Sequence, residues 1–228
     1  MQRHESRVLL KISQSIRQIK NHFIPAGRKL RRIPLGPAKD CILDLDLQHE
    51  LGKYIGLYER ELWRHVKPYL RHGIIVFDVG AGNGYYSVIA AARGACVVAF
   101  EPDSSAAASL RRAVELSGLP VRVVEDIVMG PEHGGGRTLD DYVKTYGNPG
   151  FVKIDVEGAE GSLLRGFSRT LAESGPPLVI ETHDVQIEDD CIKFLLQMGY
   201  KTLIVQRRWW LQEHRPIEHN RWLVCRKD

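Results

Sequence analysis

Three glycines, Gly80, Gly82 and Gly84, alternate along the chain directly after an apolar segment over residues 74–79. The apolar residues of that segment are mostly β-branched or aromatic, which predicts a strand covered on both faces. Residues 85–92 follow with a helical composition and no helix breaker. A strand, a glycine turn and a helix in this order predict the start of a nucleotide-binding βαβ unit, because glycine lets a ligand approach the bare backbone.

The spacing of the glycines bears on which ligand the turn would bind. Dinucleotide folds use G-x-G-x-x-G to place a pyrophosphate at the helix N-terminus, but the position three residues after Gly82 is Tyr85. The spacing G-x-G-x-G after a strand that carries Asp78 favours S-adenosylmethionine, which has no phosphate. A glycine turn without any ligand is the alternative interpretation, since isolated glycine motifs are weakly specific.

Acidic residues end each of the first five strands predicted from the glycine segment onward. The carboxyl ends of parallel strands meet at one edge of a sheet, so these acids predict a polar cleft there. Glu101 follows the glycine turn by about 20 residues, the separation at which an acid accepts hydrogen bonds from ribose hydroxyls and disfavours a 2′-phosphate. The strand-end acids are Asp78, Glu101, Glu125 with Asp126, Asp155 with Glu157, and Glu181.

Helical segments alternate with most of the predicted strands. This order predicts an α/β fold in which a mostly parallel sheet carries helices on both faces. Strands are predicted at 74–79, 96–100, 121–124, the first part of 151–160, 178–180, 200–206 and 221–225, after a half-exposed strand at 41–47. Helices are predicted at 57–70, 85–92, 104–116, from the cap Thr138, at 162–171 and at 188–198.

Composition sets limits on the class of protein. A chain of 228 residues with 43% hydrophobic residues has room for one large domain, or for one domain with an extension. The net charge of +4 is too small to require a nucleic-acid partner. Four widely spaced cysteines without a C-x-x-C pair predict reduced thiols and a cytoplasmic setting. No apolar run reaches the length of a membrane span, and no signal peptide is expected.

Several motifs resemble those of the FkbM-type S-adenosylmethionine-dependent methyltransferases. The most typical pair is the segment TLDDY over 138–142 followed by VKIDVEGAE over 152–160; FDVGAGNGYYS over 77–87, FEP over 100–102 and IETH over 180–183 also match. The resemblance covers about residues 41–225 and implies a Rossmann-like class I methyltransferase fold with a sheet of the seven-stranded type. Characterised members mostly methylate hydroxyl oxygens of sugars or natural products. The stretch between Val124 and Thr138 is shorter than the family pattern, which leaves little room for the extra strands often found there.

The resemblance implies a set of residues around S-adenosylmethionine. The glycine turn would lie against the amino-acid end and the ribose, and Glu101 would accept the ribose hydroxyls. Asp126, or its neighbour Glu125, would meet the adenine amino group, and Asp155 would lie beside the methyl group. The cofactor-binding residues expected on this basis are Asp78, Gly80, Ala81, Gly82, Asn83, Gly84, Glu101, Pro102, Asp126 and Asp155.

A hydroxyl acceptor needs a group that removes its proton. The candidates for this catalytic role are Asp155, Glu157 and His183, and our hypothesis is that Asp155 and His183 flank the acceptor hydroxyl. His183 has the most suitable unperturbed pKa, although a structural hydrogen bond is an equal alternative for a single histidine. Glu157 and Glu160 are alternatively helix-capping acids. No metal is expected; a divalent ion on Asp155, Glu157 and Glu181 is a minority hypothesis.

Residues 1–40 are predicted to form a basic amphipathic extension, and residues 41–228 the methyltransferase domain. Nine Lys or Arg residues precede Ile33, against the single acid Glu5, and apolar residues recur at steps of three and four. A helix that packs on the domain or on a partner is the favoured interpretation. Peripheral contact of residues 6–24 with an anionic membrane is the alternative.

The expected partner is a small-molecule or carbohydrate acceptor. Residues 206–221 interleave arginine, tryptophan and histidine, a composition suited to stacking on a sugar ring or to binding an acid group. Core packing explains the tryptophans equally well, and single-stranded nucleic acid is a weak third interpretation. Two rival functions remain at this point: an NAD-dependent oxidoreductase, which the glycine spacing disfavours, and a non-catalytic docking module, which the strand-end acids disfavour.

Overall fold

The structure is a computed structural model that describes residues 22–128, 130, 132, 136–208 and 219–227. Its strands are β1 (Lys29–Arg32), β2 (Ile42–Leu45), β3 (Ile75–Val79), β4 (Cys96–Phe100), β5 (Val121–Val124), β6 (Phe151–Ile154), β7 (Leu178–Thr182), β8 (Lys201–Gln206) and β9 (Arg221–Arg226). Its α-helices are α1 (Leu47–Tyr54), α2 (Arg60–Val66), α3 (Tyr85–Ala92), α4 (Ser104–Ser117), α5 (Leu139–Tyr146), α6 (Glu160–Arg165), α7 (Ser168–Glu173) and α8 (Val185–Gln197).

A seven-stranded sheet lies at the centre, in the order β5-β4-β3-β6-β7-β9-β8. Strands β3 to β7 are parallel, and β9 runs antiparallel between β7 and β8. The chain passes from β3 outward to β4 and β5, then returns to β6 on the other side of β3. Ligands of open α/β sheets bind at such a reversal, outside the carboxyl ends of the strands. The predicted mostly parallel sheet of the seven-stranded type is confirmed.

Both faces of the sheet are buried, because successive side chains of each central strand point to opposite sides. Val76 of β3 lies in an apolar cluster with Leu43 and Ile89. Its neighbour Phe77 lies in the cluster on the opposite face, together with Leu164. The near-continuous apolar composition of the central strands follows from this double burial.

The helix ends carry the capping residues that the sequence indicates. The Asp103 side chain caps α4 by accepting a hydrogen bond from the Ala106 amide at 2.7 Å, and Gly118 ends this helix in the left-handed conformation. Thr138 and Asp141 form a reciprocal capping box at the start of α5. These contacts satisfy amide groups that have no partner within their own helix.

The prediction of one continuous helix over residues 162–171 is wrong, because two helices cover this range. The first helix ends at Gly166, and the side chain of Phe167 is fully buried at the junction. The new helix begins where the Asp140 carboxylate accepts hydrogen bonds from the amides of Arg169 and Thr170, both at 3.0 Å. A carboxylate distant in sequence therefore supplies the N-terminal partners that allow the chain to start a second helix.

The segment before the glycine turn also differs from its prediction. The helix expected over 57–70 is shorter: α2 spans Arg60–Val66 and a 3₁₀ turn, Lys67–Tyr69, continues it around Pro68. Helix α1 was not predicted; it contains Gly52, and none of its residues is buried. The Asp46 side chain starts α1 by accepting the Gln48 amide at 3.0 Å.

Part of the predicted extension is attached to the domain. Strand β1 pairs antiparallel with β2, and Ile33 and Ala38 after it are fully buried in the core. Most of the predicted N-terminal helix falls in residues 1–21, which lie outside the described residues. Within the described chain no helix has the length and apolarity to cross a membrane. The cysteines are free, as expected; Cys96 is exposed, whereas the other three are buried.

Replacement of Gly80 by alanine is predicted to destabilise the fold far more than the same change at Gly82. Gly80 has φ +73°, and a Cβ there would meet the Asp155 carbonyl oxygen at 1.7 Å. Gly82 has φ +56° but open space around its Cβ position. We expect Gly82→Ala to lower the free energy of unfolding by about 1–2 kcal/mol and Gly80→Ala by roughly 3 kcal/mol or more. Denaturant unfolding measures both losses, and equal losses would contradict the close approach of β3 and β6.

Candidate active site

The glycine turn between β3 and α3 takes its shape from left-handed backbone and from bonds to the next strand. Gly80, Gly82 and Gly84 all have positive φ, which explains their alternation, since other residues adopt this region only with strain. The amides of Gly80 and Ala81 donate to the Phe100 carbonyl oxygen at 2.9 and 3.0 Å. The turn is thereby fixed against the end of β4.

A cleft of about 360 Å³ opens in front of this turn, at the carboxyl ends of β3, β4, β5 and β6. Its volume is within the range of about 300–1,000 Å³ that small-molecule sites occupy. The lining residues are Val79, Gly80, Gly82, Phe100, Glu101, Pro102, Asp126, Ile127, Val128, Asp155, Val156, Glu157 and Ala159. Of the predicted cofactor-binding residues, Asp78, Ala81, Asn83 and Gly84 are not among them.

Glu101 connects the glycine turn to the end of β4. Its carboxylate accepts the Gly82 amide at 2.7 Å with one oxygen and the Asp103 amide at 2.8 Å with the other. The residue is only 8% exposed. Each carboxylate oxygen accepts more than one hydrogen bond, so the side chain that orders the turn is also able to accept hydroxyl groups of a ligand.

The structure distinguishes the two acids after β5. Asp126 lines the cleft and accepts a hydrogen bond from the Tyr142 hydroxyl. Glu125 is turned away, toward α4, where it accepts hydrogen bonds from Ser104 and from Arg111. Of the two sequence candidates for the adenine contact, only Asp126 faces the cleft.

Asp78 and Asn83 lie behind the turn. The buried Asp78 carboxylate accepts a hydrogen bond from the Ser87 hydroxyl at 2.6 Å, and burial raises its pKa. The Asn83 amide nitrogen donates to Glu50 at 2.8 Å, and its oxygen accepts from Lys53 at 2.8 Å. Both contacts are made to α1, the helix that sequence reasoning missed.

Asp155 lies at the meeting point of the cleft and a buried polar cluster. It lines the cleft at the end of β6, and its Oδ2 atom pairs with the buried Lys153 ammonium at 3.2 Å. Its Oδ1 atom lies 3.5 Å from His183 Nε2. The structure therefore brings Asp155 and His183 together, as the sequence hypothesis has them.

His183 is held from the opposite side by Glu160. The Nδ1 atom lies 2.9 Å from Glu160 Oε1, and the side chain of His183 is only 8% exposed. Burial lowers the pKa of His183, but the hydrogen bond to Glu160 and the charges of Asp155 and Glu181 outweigh burial and raise the pKa overall.

Glu157 is the third catalytic candidate. It lines the cleft and is exposed, and its backbone has φ +49°. A left-handed conformation is strained for glutamate and is concentrated in proteins at functional sites. Ala159 rather than Glu157 is the N-cap of α6, and no side-chain cap bond is formed there.

Asp155, Glu181 and His183 form a group whose ligand atoms lie within 4.8 Å of one another. Cations and donors of the protein already engage both carboxylates. Lys153 pairs with Asp155, while Glu181 Oε1 accepts Arg207 at 2.9 Å and Asn220 at 2.7 Å. Two hydrogen bonds use the two lone pairs of that oxygen, which weakens the hypothesis of a divalent ion here.

Glu59 is a buried acid of this cluster that sequence reasoning did not find. Its backbone has φ +43°, and its carboxyl accepts the Tyr86 hydroxyl at 2.6 Å. Burial, and next the charge of Glu181, raise the pKa of Glu59 to about 8. A single acid between Tyr58 and Arg60 gives no sequence signal, because its burial depends on how α2 packs.

Residues 136–202 match the model of the methyltransferase FkbM domain. This match confirms the resemblance to FkbM methyltransferases. A search of the curated proteins gave no match. The matched segment includes Asp155, Glu157, Glu160 and His183, whereas Glu59 lies outside it.

Solved structures of methyltransferases share the fold. The chain is similar to a methyltransferase FkbM from Methylobacillus flagellatus, with 20% identity, a TM-score of 0.52 and coverage of 66% of this chain and 43% of that one. A SAM-dependent O-methyltransferase from Thermotoga maritima has 13% identity and a TM-score of 0.54, with 76% and 66% covered. The Thermus thermophilus 16S rRNA N2 G1207 methyltransferase, in complex with AdoMet and guanosine, has 15% identity and a TM-score of 0.57, with 89% and 50% covered.

The expected class I methyltransferase fold is therefore confirmed. Together with the FkbM match, this fold supports a methyltransferase that uses S-adenosylmethionine. The proteins with these similar structures differ in their acceptors: an rRNA methylase and a precorrin methyltransferase are among them. The class of acceptor is thus not carried by the fold.

Replacement of Glu59 by glutamine is predicted to change how stability depends on pH. Glu59 has an ordinary pKa of 4.5 and a folded-state pKa of about 8, so the folded protein binds more protons between these values and stability falls as pH rises through this window. Glutamine has no such proton. We expect the Glu59→Gln variant to gain on the order of a few kcal/mol relative to the parent between pH 5 and pH 8.

Denaturant unfolding at a series of pH values measures this difference directly. The other titrating groups contribute to both proteins and cancel in the comparison. A difference that does not vary with pH would show that Glu59 is not held as a buried, protonated acid.

Proposed function

We propose that this protein transfers the methyl group of S-adenosylmethionine to a hydroxyl oxygen of a sugar, glycan or small natural product. The observation that carries the proposal is the pair of Asp155 and His183. Asp155 lines the cleft, and the His183 Nε2 atom lies 3.5 Å from it in a buried position. A basic atom beside a carboxylate that lines the cleft is what a hydroxyl acceptor would require.

The cleft fits the proposed cofactor. Gly82 leaves open space where a side chain would stand, which suits the close approach of a ribose and an amino-acid end. Glu101, Pro102 and Asp126 line the cleft, and in this proposal Glu101 would accept ribose hydroxyls and Asp126 the adenine amino group. Gly80 lines the same wall, while Asp78, Ala81, Asn83 and Gly84 would act by holding the turn in shape.

The bound cofactor would supply an electrophilic methyl group on a sulfonium. The residues of the chain would do the rest of the chemistry. Asp155 would orient the acceptor hydroxyl in line with the methyl–sulfur bond, held in its own position by Lys153. His183 would receive the hydroxyl proton, and Glu157 is the remaining candidate for this role at the exposed rim of the cleft.

A small-molecule or carbohydrate acceptor fits this arrangement better than a nucleic acid. The net charge is modest at +4. The acids that line the cleft would repel a phosphate backbone, whose binding depends on lysine and arginine. Residues 209–218 of the predicted tryptophan- and arginine-rich segment 206–221 lie outside the described residues, and Arg207, which is described, pairs with Glu181. The proposal of an amphipathic membrane contact through residues 6–24 concerns another part of the chain and is independent of it.

Calorimetric titration with S-adenosylmethionine, S-adenosylhomocysteine and NAD tests the cofactor. We expect binding of the first two only. The variant Glu101→Ala is expected to lose at least about 2 kcal/mol of binding free energy, since it removes hydrogen bonds to a charged group and frees the glycine turn. Glu125→Ala is the matched control, because that acid faces away from the cleft. Binding of NAD alone would restore the oxidoreductase hypothesis, and binding of none would favour the docking module.

Variants of the two central residues test the reaction. The protein would be incubated with labelled S-adenosylmethionine and a panel of methyl glycosides, with guanosine and adenosine as nitrogen acceptors. For the acceptor that is methylated, we expect His183→Ala to lower kcat by about 10²–10⁴-fold and Asp155→Asn to lower it by at least about 10-fold through lost orientation. Parent-like turnover of variants that still bind the cofactor would remove both residues from the mechanism, and methylation of a nucleoside nitrogen alone would remove the hydroxyl acceptor.

A further inference from the structure

Glu160 is a buried acid, and no contact within its own helix explains its burial. It is the first residue of α6 and is 0% exposed. Its Oε1 atom accepts the Gly158 amide at 3.1 Å and lies 2.9 Å from His183 Nδ1. Its Oε2 atom is buried and makes no hydrogen bond among the described residues. Burial of a carboxylate is costly unless a partner compensates for it, and the partner with a ring nitrogen in contact is His183.

This contact determines which nitrogen of His183 carries the proton in the neutral ring. A carboxylate accepts hydrogen bonds and does not donate them, so Nδ1 must be the N–H that Glu160 binds. The Nε2 atom then holds the free lone pair. It is buried and has no hydrogen-bond partner among the described residues.

The surroundings of Nε2 define what it faces. Asp155 Oδ1 lies at 3.5 Å and Glu181 Oε1 at 3.8 Å, both too far for a hydrogen bond. Lys153 pairs with the other carboxylate oxygen of Asp155, and Arg207 pairs with the same oxygen of Glu181. A lone pair that faces two carboxylate oxygens is unfavourable unless a proton lies between them. Nε2 is therefore the ring nitrogen that would receive a proton.

We propose that Glu160 is the positioning residue that holds His183 with its proton on Nδ1, so that Nε2 takes the proton of the acceptor hydroxyl. This inference rests on the proposed hydroxyl methylation. In the step, the O–H bond breaks and its proton goes to Nε2. The oxygen lone pair forms the bond to the methyl carbon, and the electron pair of the carbon–sulfur bond leaves with sulfur. The imidazolium that results is stabilised by Glu160, Asp155 and Glu181, and it returns its proton to solvent.

Nitrogen NMR of the histidine rings tests the inference without any acceptor. The full chain labelled with ¹⁵N would be titrated alone, and the His183→Ala variant identifies the signals of that ring. We expect a protonated Nδ1 and an unprotonated Nε2 in the neutral ring, which is the tautomer that free histidine disfavours. The ring is expected to titrate above the ordinary range of a histidine, because the hydrogen bond to Glu160 and the charges of Asp155 and Glu181 raise its pKa.

Two substitutions of Glu160 separate its charge from its role as acceptor. Glu160→Gln keeps the shape and an accepting oxygen, and should shift the titration of His183 to lower pH. Glu160→Met removes the acceptor, and the ring should change to the Nε2–H tautomer that donates to Asp155. Glu157→Gln is the matched control, because it removes an acid of the same segment that does not contact the ring, and the His183 signals should stay unchanged.

Turnover provides the second readout, measured with the acceptor that the panel of methyl glycosides identifies. Glu160→Gln should lower kcat on the order of 10²-fold or more, as the loss of an orienting acid does in triads, and should lower it no further in the His183→Ala background. The acid limb of the pH–rate profile should move to lower pH with it. A merely structural role would change the melting temperature without these effects.

The outcomes of this test are distinct from those of the proposed function. An Nε2–H tautomer in the parent, or parent-like His183 signals in both Glu160 variants, would overturn the role of Glu160. An equal loss of turnover from Glu160→Gln with and without His183 would overturn it as well. Failure to bind S-adenosylmethionine would instead remove the methyltransferase proposal, whatever the tautomer of the ring.

Discussion

The buried ammonium group of Lys153 interacts electrostatically with several acids of the site at once. Burial alone would lower its pKa, but Asp155, Asp78, Glu59 and Glu181 raise it overall. Without this charge, carboxylates from several strand ends would be buried close to one another with little compensation. The Lys153 ammonium also lies 5.1 Å above the Tyr86 ring, which extends the same contact to α3.

The architecture explains why these groups converge. Parallel strands end at one edge, and the reversal of strand order between β4 and β6 opens a gap that the glycine turn borders. On the side of the gap toward β4 and β5, Glu101 and Asp126 face the cleft. The side toward β7 carries the buried cluster around His183. Asp155 at the end of β6 belongs to both sides, since it lines the cleft and pairs with the buried Lys153.

Local patterns predicted much of this from the sequence. Apolar runs located the central strands, and Thr138 marked the start of a helix, because backbone chemistry of this kind depends on neighbours in the chain. The acids at the strand ends were found for the same reason. Glu59 and the Glu160–His183 contact were not predicted, since each depends on elements distant in sequence. The break between α6 and α7 depends likewise on Asp140, a residue of another helix.

The network around Asn83 ties the glycine turn to the chain before the sheet. Lys53 bonds both Glu50 and Asn83, and Arg28 pairs with Glu50 at 3.0 Å, next to β1. Through these contacts a ligand that stabilised the turn would also act on the N-terminal segment, and thermodynamic linkage would make the effect reciprocal. A partner that binds the segment would then change the affinity of the turn for its ligand. The ligand would change the affinity of the segment for that partner by the same factor. The N-terminal segment around β1 is thus in direct contact with the residues that hold the glycine turn.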